Sequence, residues 1–209
     1  MNRRTLLSAA AAAILAAGSF SASAAPLKEL KIAATPVPQG EVLKFVKPIL
    51  AKEGIDLKII EFTDYIAPNA ALDAKEVDVN FYQHQPFLDN AVRQRHINAV
   101  RVAPIYILPM AVYSQKLKFV ELEAAQVPRS LKDVDIAVVN SNYALGIGLN
   151  PLKDSIYLED KRSPYALVVA TRKGDQNDPR VQKLVKALQS PATKKFILTK
   201  YKGAVVPSF

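Results

Sequence analysis

Short apolar runs alternate with segments of helical period along most of this chain, and that alternation narrows the possible folds more than any other feature. Leu30–Ala34 reads as a strand, and Glu41–Glu53 as a helix with Val42, Phe45, Val46, Ile49 and Leu50 on one face. Gly54 ends that helix, where a residue tolerant of positive φ is wanted. Ile55–Phe62 is the next strand, Asn69–Ala74 a short helix, Val77–Phe81 a third strand, and about 86–95 a further helix. Strands separated by helices predict an α/β fold built from parallel βαβ units with right-handed crossovers.

The later part keeps the pattern with two interruptions. Residues 100–113 are long, apolar and broken by Pro104 and Pro109. Prolines lack the ladder donor and sit poorly in a central strand, so this run suits an extended crossing between two lobes. Ser163–Thr171 is a second candidate crossing. Val134–Tyr143 reads as a buried strand ending in Asn140, Asn142 and Tyr143, and Asp178–Tyr201 as two amphipathic helices separated by Pro191. The C-terminal pair is expected to pack on the first lobe.

The first residues are read as an export signal rather than as part of the fold. Arg3 and Arg4 form a positive n-region, Leu6–Phe20 an apolar core, and Ala22-Ser23-Ala24 a small-residue cleavage site. The apolar stretch falls short of the about 20 residues that a spanning helix needs. Cleavage is expected after Ala24. The paired arginines leave both the general and the twin-arginine export routes open. The chain holds no cysteine, which excludes disulfides, thiolate metal sites and a lipid-bearing cysteine.

Arg3 and Arg4 aside, 26 basic residues stand against 19 acidic ones. The lysines are scattered along helices and turns (Lys44, Lys47, Lys52; Lys183, Lys186, Lys194), with no arginine and aromatic stripe or basic glycine loop. That distribution is a solvated surface, suited to docking on an anionic membrane or a permease, and argues against nucleic acid as a partner. Only two histidines are present; His96, beside Arg93 and Arg95, reads as solvated, so neither a metal site nor any other cofactor is expected.

Chemistry concentrates in Glu61–Leu88. Asp64, Tyr65, Asn69, Asn80, Tyr82, Gln83 and His84 gather there around two short strands. Neutral hydrogen-bonding groups and aromatic faces near strand ends suit a small zwitterion better than a polymer or a lipid. Position alone leaves Asp64-Tyr65 open to reading as a turn, His84 as a structural histidine, and Asn140 as a helix cap. A hydrolase would need a nucleophile, a base and an orienting group; Ser141, His84 and Asp64 lie on different elements with no spacing signal. No enzymatic activity is expected.

Two half-motifs in this stretch, FTDY-x2-PN at 62–69 and N-[FY]2-QH-x-P at 80–86, resemble the NlpA lipoprotein family, the substrate-binding components of methionine ABC importers. The resemblance implies a periplasmic binding protein of type-II-like α/β architecture, with two lobes that close about a hinge. Residues 25–108 plus 165–209 would form lobe 1 and 109–164 lobe 2, after the signal at 1–24. It implies ligand contacts from Tyr65, Asn80, Phe81, Tyr82, His84 and Asn140, with Tyr65 and Tyr82 flanking an apolar side chain and Asn140 reaching the ligand's amino or carboxylate group. It also implies an ABC permease and its ATPase as partners, a periplasmic location or a peripheral one at the inner membrane, and no covalent chemistry.

The likeness breaks near Lys116. Relatives carry several tens of additional residues there, including an arginine that the resemblance assigns to the ligand carboxylate, and no position of this chain matches that stretch. Lobe 2 would then hold 56 residues, fewer than the about 60 at which a domain is already marginal. Weak capture of methionine or a similar small amino acid is the leading expectation. A truncated, weakly binding or non-binding relative with a docking role is the first rival, and an exported hydrolase the second.

Overall fold

A computed structural model of the chain describes residues 27–114, 122–134, 136–159 and 165–209. The predicted export signal and the junction at Lys116 lie outside the described residues.

A six-stranded sheet forms the larger part, in the order β2-β1-β3-β8-β4-β9. Its strands are β1 (Lys28–Ala34), β2 (Ile55–Glu61), β3 (Val79–His84), β4 (Val100–Ile107), β8 (Ala166–Thr171) and β9 (Val206–Pro207). Both β2 and β3 pair parallel to β1, as the βαβ pattern predicts. The expectation of parallel pairing fails beyond β3. Strand β8 enters between β3 and β4 antiparallel to both, and β9 is antiparallel to β4. Here the chain re-enters the large sheet after building a second one, so the simple crossover rule no longer governs direction.

Helices cover both faces. On one side lie α1 (Glu41–Lys52), α6 (Pro179–Leu188) and α7 (Pro191–Tyr201); on the other lie α2 (Ala67–Asp73) and α3 (Gln85–Arg95). The period of two in β1 sorts its side chains between them. Leu30, Ile32 and Ala34 enter the main core with Leu43, Val46 and Leu184, while Ala33 faces Ala71 and Leu72 of α2. Rings of Phe45 and Phe196 stack at 4.3 Å and lock α1 to α7. Tyr201 at the end of α7 donates its hydroxyl to the Glu41 carboxylate at the start of α1. Gly54 has φ +82°, the left-handed conformation its position after α1 requires.

The smaller sheet is antiparallel, in the order β6-β5-β7, from β5 (Met110–Ser114), β6 (Ile136–Asn140) and β7 (Tyr157–Leu158). Short helices α4 (Ser141–Gly146) and α5 (Pro151–Asp154) follow β6. The proline-broken run therefore does pass from one sheet to the other, but as two successive strands, β4 in the large sheet and β5 in the small one, joined at Leu108-Pro109 rather than as a free crossing. Pro104 sits inside β4 because β9 reaches only Tyr106 and Ile107. At Pro104 the strand has one partner, β8, and the register with β8 shifts immediately after it. Some boundaries differ from those the pattern predicts. Strand β3 starts at Val79 and runs on to His84, β6 spans only Ile136–Asn140, and α2 starts at Ala67 rather than Asn69.

Candidate functional site

A cavity of about 510 Å³ opens between the carboxyl ends of β2 and β3 and the small sheet. From the large sheet it is lined by Tyr65, Tyr82, Gln83, His84, Phe87 and Leu167. Facing them across the gap stand Met110, Val138, Asn140, Asn142, Tyr157 and Glu159, with Leu108 and Tyr165 between the two walls. Crevices outside strand carboxyl ends are where open α/β sheets bind ligands.

The large-sheet wall is an aromatic cluster. Tyr65 lies 6.3 Å from Tyr82 and 6.2 Å from Phe87, and Tyr82 meets Phe87 edge-on at 6.1 Å. His84 packs edge-on against Tyr165 at 4.9 Å. Asp64 fixes the loop that carries Tyr65, accepting the backbone N–H groups of Ile66 and Ala67 at 2.7 Å each. Tyr82 donates its hydroxyl to the Tyr65 carbonyl at 3.2 Å. Burial pushes the pKa of both tyrosines up, so their hydroxyls stay neutral.

His84 has a second task. Its Nδ1 accepts the Phe87 N–H at 3.1 Å and caps α3. That bond assigns the proton of the neutral ring to Nε2. Burial holds the imidazole pKa below its usual value, opposed by a hydrogen bond to the His84 backbone and by the negative field of Glu159. The ring is therefore a neutral donor beside the cavity.

Alternation along β3 separates residues that the motif sets side by side. Tyr82 faces the cavity, whereas its neighbour Phe81 points to the opposite face, fully buried against Tyr106 at 5.2 Å. Asn80 does not reach the cavity either. It lies under α2, donating to Asn69 Oδ1 at 2.9 Å and accepting from Gln83 Nε2 at 3.0 Å. Gln83 Nε2 also donates to Asn69 Oδ1 at 2.8 Å, and Asn69 Nδ2 returns a bond to Gln83 Oε1 at 2.9 Å. This closed triangle of buried amides sets the end of β3 against α2. Phe81 thus packs behind the wall, where the two-residue period puts it, while Asn80, two residues from Tyr82, is held beneath α2 by the amide network rather than set aside by alternation.

Of the six predicted site residues, Tyr65, Tyr82, His84 and Asn140 line the cavity. Asn140 stands at the N-cap position of α4, but its side chain makes no capping bond. Its neighbour Asn142 accepts the Tyr65 hydroxyl at 3.2 Å, and Tyr143 donates to the Thr63 carbonyl at 3.3 Å. The alternative catalytic set is dismantled: Ser141 is buried and donates to the Pro109 carbonyl, while Asp64 is occupied by its own turn. Among the described residues, no group of three or more His, Asp or Glu can hold a metal ion.

Several lining residues are not marked by the sequence pattern. Phe87 lies one helical turn beyond His84 and was within reach of the same motif. Met110, Tyr157, Glu159 and Tyr165 come from the far sheet and its return, and no local pattern marks them.

Two sheets facing each other across an aromatic- and amide-lined cavity define a solute-binding protein. The sequence profile of the NlpA lipoprotein family matches residues 30–120 and 115–209, in two pieces that meet where the likeness breaks near Lys116. The D-methionine-binding lipoprotein MetQ of Escherichia coli K12 is 33% identical over 197 residues, covering 66% of this chain and 73% of that protein. Since 66% of 209 residues is about 138, several tens of the relative's positions have no counterpart here. A nutrient-binding protein from Burkholderia cenocepacia bound to methionine superposes with a TM-score of 0.83 at 38% identity, over 86% of this chain and 100% of that one. A periplasmic substrate-binding protein of an ABC transporter from Coxiella burnetii gives 0.81 at 30% identity, with the same coverage. The chain belongs to the NlpA lipoprotein family, whose members are substrate-binding proteins rather than enzymes. Among the described residues no helix is long and apolar enough to cross a membrane.

Proposed function

We propose that this chain captures methionine or a similar small apolar amino acid outside the cytoplasmic membrane and hands it to an ABC permease and ATPase. The observation that carries this reading is the cavity itself, with Tyr65, Tyr82, Phe87 and His84 facing Asn140 and Asn142. Aromatic faces suit a thioether, since S···aromatic contacts contribute about 0.3–1.5 kcal/mol. The His84 Nε2–H and the asparagine amides supply donors and acceptors for the polar end. Ligand bridging the two walls would favour the closed arrangement by population shift.

Thermal-shift titration with L- and D-methionine, leucine and glutamate tests the reading. Ligand that binds only the native state raises the melting temperature by mass action. A rise with methionine that is lost in Tyr82→Ala is expected. No rise at millimolar methionine would refute capture.

One finding favours a second reading, a weakly binding relative with a docking role. The family match is interrupted at 115–120, and the resemblance places its carboxylate-binding arginine in the segment without a counterpart. Hydrogen bonds to charged groups contribute about 1.5–3 kcal/mol each, so their loss leaves micromolar or weaker affinity. Nanomolar methionine affinity would exclude this second reading.

A further inference from the structure

The two helix layers of the large sheet differ in charge. Helices α1, α6 and α7 pack together on one face and carry eight lysines and one arginine against a single carboxylate, Glu41. On the opposite face α2 and α3 hold Arg93 and Arg95 against Asp73 and Asp89. Each helix of the first layer turns its apolar side to the sheet, so its charged side chains point outward together. Some are engaged. Lys44 pairs with Glu61 at 2.7 Å and Lys200 with Glu41 at 2.9 Å, while Lys183 donates to the Glu53 carbonyl and Lys194 to that of Phe209. Glu53 and Asp178 border the layer, and Arg180 holds Asp178 at 2.6 Å. Lys47, Lys52, Lys186 and Lys195 are exposed and have no ion pair among the described residues. Leu198, 47% exposed, adds an apolar point among them.

We propose that this lysine face docks the protein on a bilayer containing anionic phospholipid. The chemistry of the face favours a lipid surface over a protein partner. Protein interfaces are enriched in arginine and aromatic residues and depleted in lysine. Here the one arginine, Arg180, is held by Asp178 and the Glu29 carbonyl, and the cations left without a partner are all ammonium groups. A lysine ammonium is a compact, hydrated charge on a flexible stem, suited to many mobile phosphates rather than to one fixed fork. Its attraction to an anionic surface accumulates from one lysine to the next and is screened by salt. None of the three helices lends a residue to the cavity, so a docked molecule keeps the cavity open to ligand. Docking by this face is independent of what the cavity binds.

Co-sedimentation of the exported protein with vesicles of phosphatidylcholine alone, and of phosphatidylcholine with about one third phosphatidylglycerol, tests the docking. At low salt, binding to the anionic vesicles is expected to exceed binding to the neutral ones by about tenfold or more, and to be largely lost by about 0.5 M sodium chloride. The paired reversal Lys47→Glu with Lys195→Glu should weaken binding to the anionic vesicles about tenfold or more. Arg93→Glu with Arg95→Glu changes the net charge equally on the opposite layer and should weaken it by about threefold at most. If the lysine variant fails to fold, acetylation mapped by mass spectrometry makes the same comparison on the unaltered protein. Anionic vesicles should shield Lys47, Lys186 and Lys195 from the reagent and leave Lys75, exposed after α2, reactive. Equal binding to both vesicles, equal loss in the two paired variants, or equal shielding of Lys75 would overturn docking by this face. Binding to neither vesicle would also overturn it and leave the face to solvent or to an acidic protein.

Discussion

Tyr65 donates its hydroxyl to Asn142 Oδ1 at 3.2 Å, joining the loop after β2 to the helix after β6, and so the large sheet to the small one. A second tie runs alongside, from the Tyr143 hydroxyl to the Thr63 carbonyl, and the two rings lie 5.3 Å apart. The same Tyr65 ring is part of the cavity's aromatic wall. One side chain therefore both touches the cavity and links its two halves.

Tyr65→Phe separates these roles by keeping the ring and removing the bond. A neutral hydrogen bond contributes about 0.5–1.5 kcal/mol net, or up to roughly tenfold in an equilibrium constant. Methionine affinity should fall by two- to tenfold, chiefly through faster dissociation, with little change in melting temperature. Tyr65→Ala should lose more, because the wall goes with it. Stopped-flow dissociation rates check the first claim, and an unchanged off-rate in Tyr65→Phe would show that the tie does not resist opening.

His84 predicts a split between stability and binding. His84→Ala strands the Phe87 N–H and should cost about 0.5–2 kcal/mol in urea denaturation, the range for losing an N-cap. His84→Asn restores a capping oxygen and should recover most of that loss. It does not restore the ring's Nε2–H or its contact with Tyr165, so methionine affinity should remain reduced. If Asn rescues both properties, the ring serves only as a cap.

Acid should expose the same histidine. Its folded pKa lies below the 6.5 of the free side chain because burial disfavours the charged ring. Between the folded value and 6.5 the unfolded state binds more protons, so stability rises with pH across that window. This contribution is present above 6.5 and is lost as pH falls through the folded pKa, when Nδ1 gains a proton and can no longer accept from Phe87. Melting temperatures measured from neutral pH downward should fall more steeply in the wild type than in His84→Asn. Parallel curves would show that His84 titrates alike in the folded and unfolded chains.

The amide triangle behind the wall gives a fourth prediction. Asn80→Leu keeps much of the volume but leaves Gln83 Nε2 and Asn69 Oδ1 short of a partner in the interior. An unsatisfied buried group costs about 1–3 kcal/mol. Adding Gln83→Leu should cost less than the sum of the two single changes, since the groups share partners. Additive costs in the double-mutant cycle would mean that the three amides act separately.

How much of this was legible follows the range of the physics. Local periodicity revealed β1, α1, β2 and the C-terminal helices, because each buries a face defined within its own segment. Gly54 was readable because its conformation excludes most other residues. Tyr65, Tyr82 and His84, which one continuous stretch carries, line the same cavity wall. What failed depended on pairing across the chain. The direction of β8, the two-residue strand β9 and the lone partner of Pro104 follow from sheet topology rather than neighbouring residues. Glu159 and Met110 reach the cavity only because two segments that are distant in sequence, joined by the bond from the Met110 N–H, return to the same edge. Phe81 is different: a period of two was available in the sequence, and a motif containing adjacent aromatics obscured it.

The two sheets should differ in resistance to opening. The large one is buried beneath Leu30, Ile32, Leu43, Phe81, Leu184 and Ile197, all fully enclosed. The buried centre of the small one is Ala111, Ala137, Val139 and Ala144, three of them alanines, with Val138 and Tyr157 left 54% and 65% exposed toward the cavity. Burial contributes about 25 cal/mol per Å² of apolar surface, so alanines supply little of it. Local opening free energies range from near zero to the global value according to such packing. Hydrogen exchange at the Val139 and Ala111 amides should therefore outpace exchange at Ile32 and Val169. Saturating ligand should slow the first pair far more than the second, because it supplies the apolar cover that the small sheet lacks. Equal protection in both sheets without ligand would mean that the small sheet draws its stability from the large one and opens only with it.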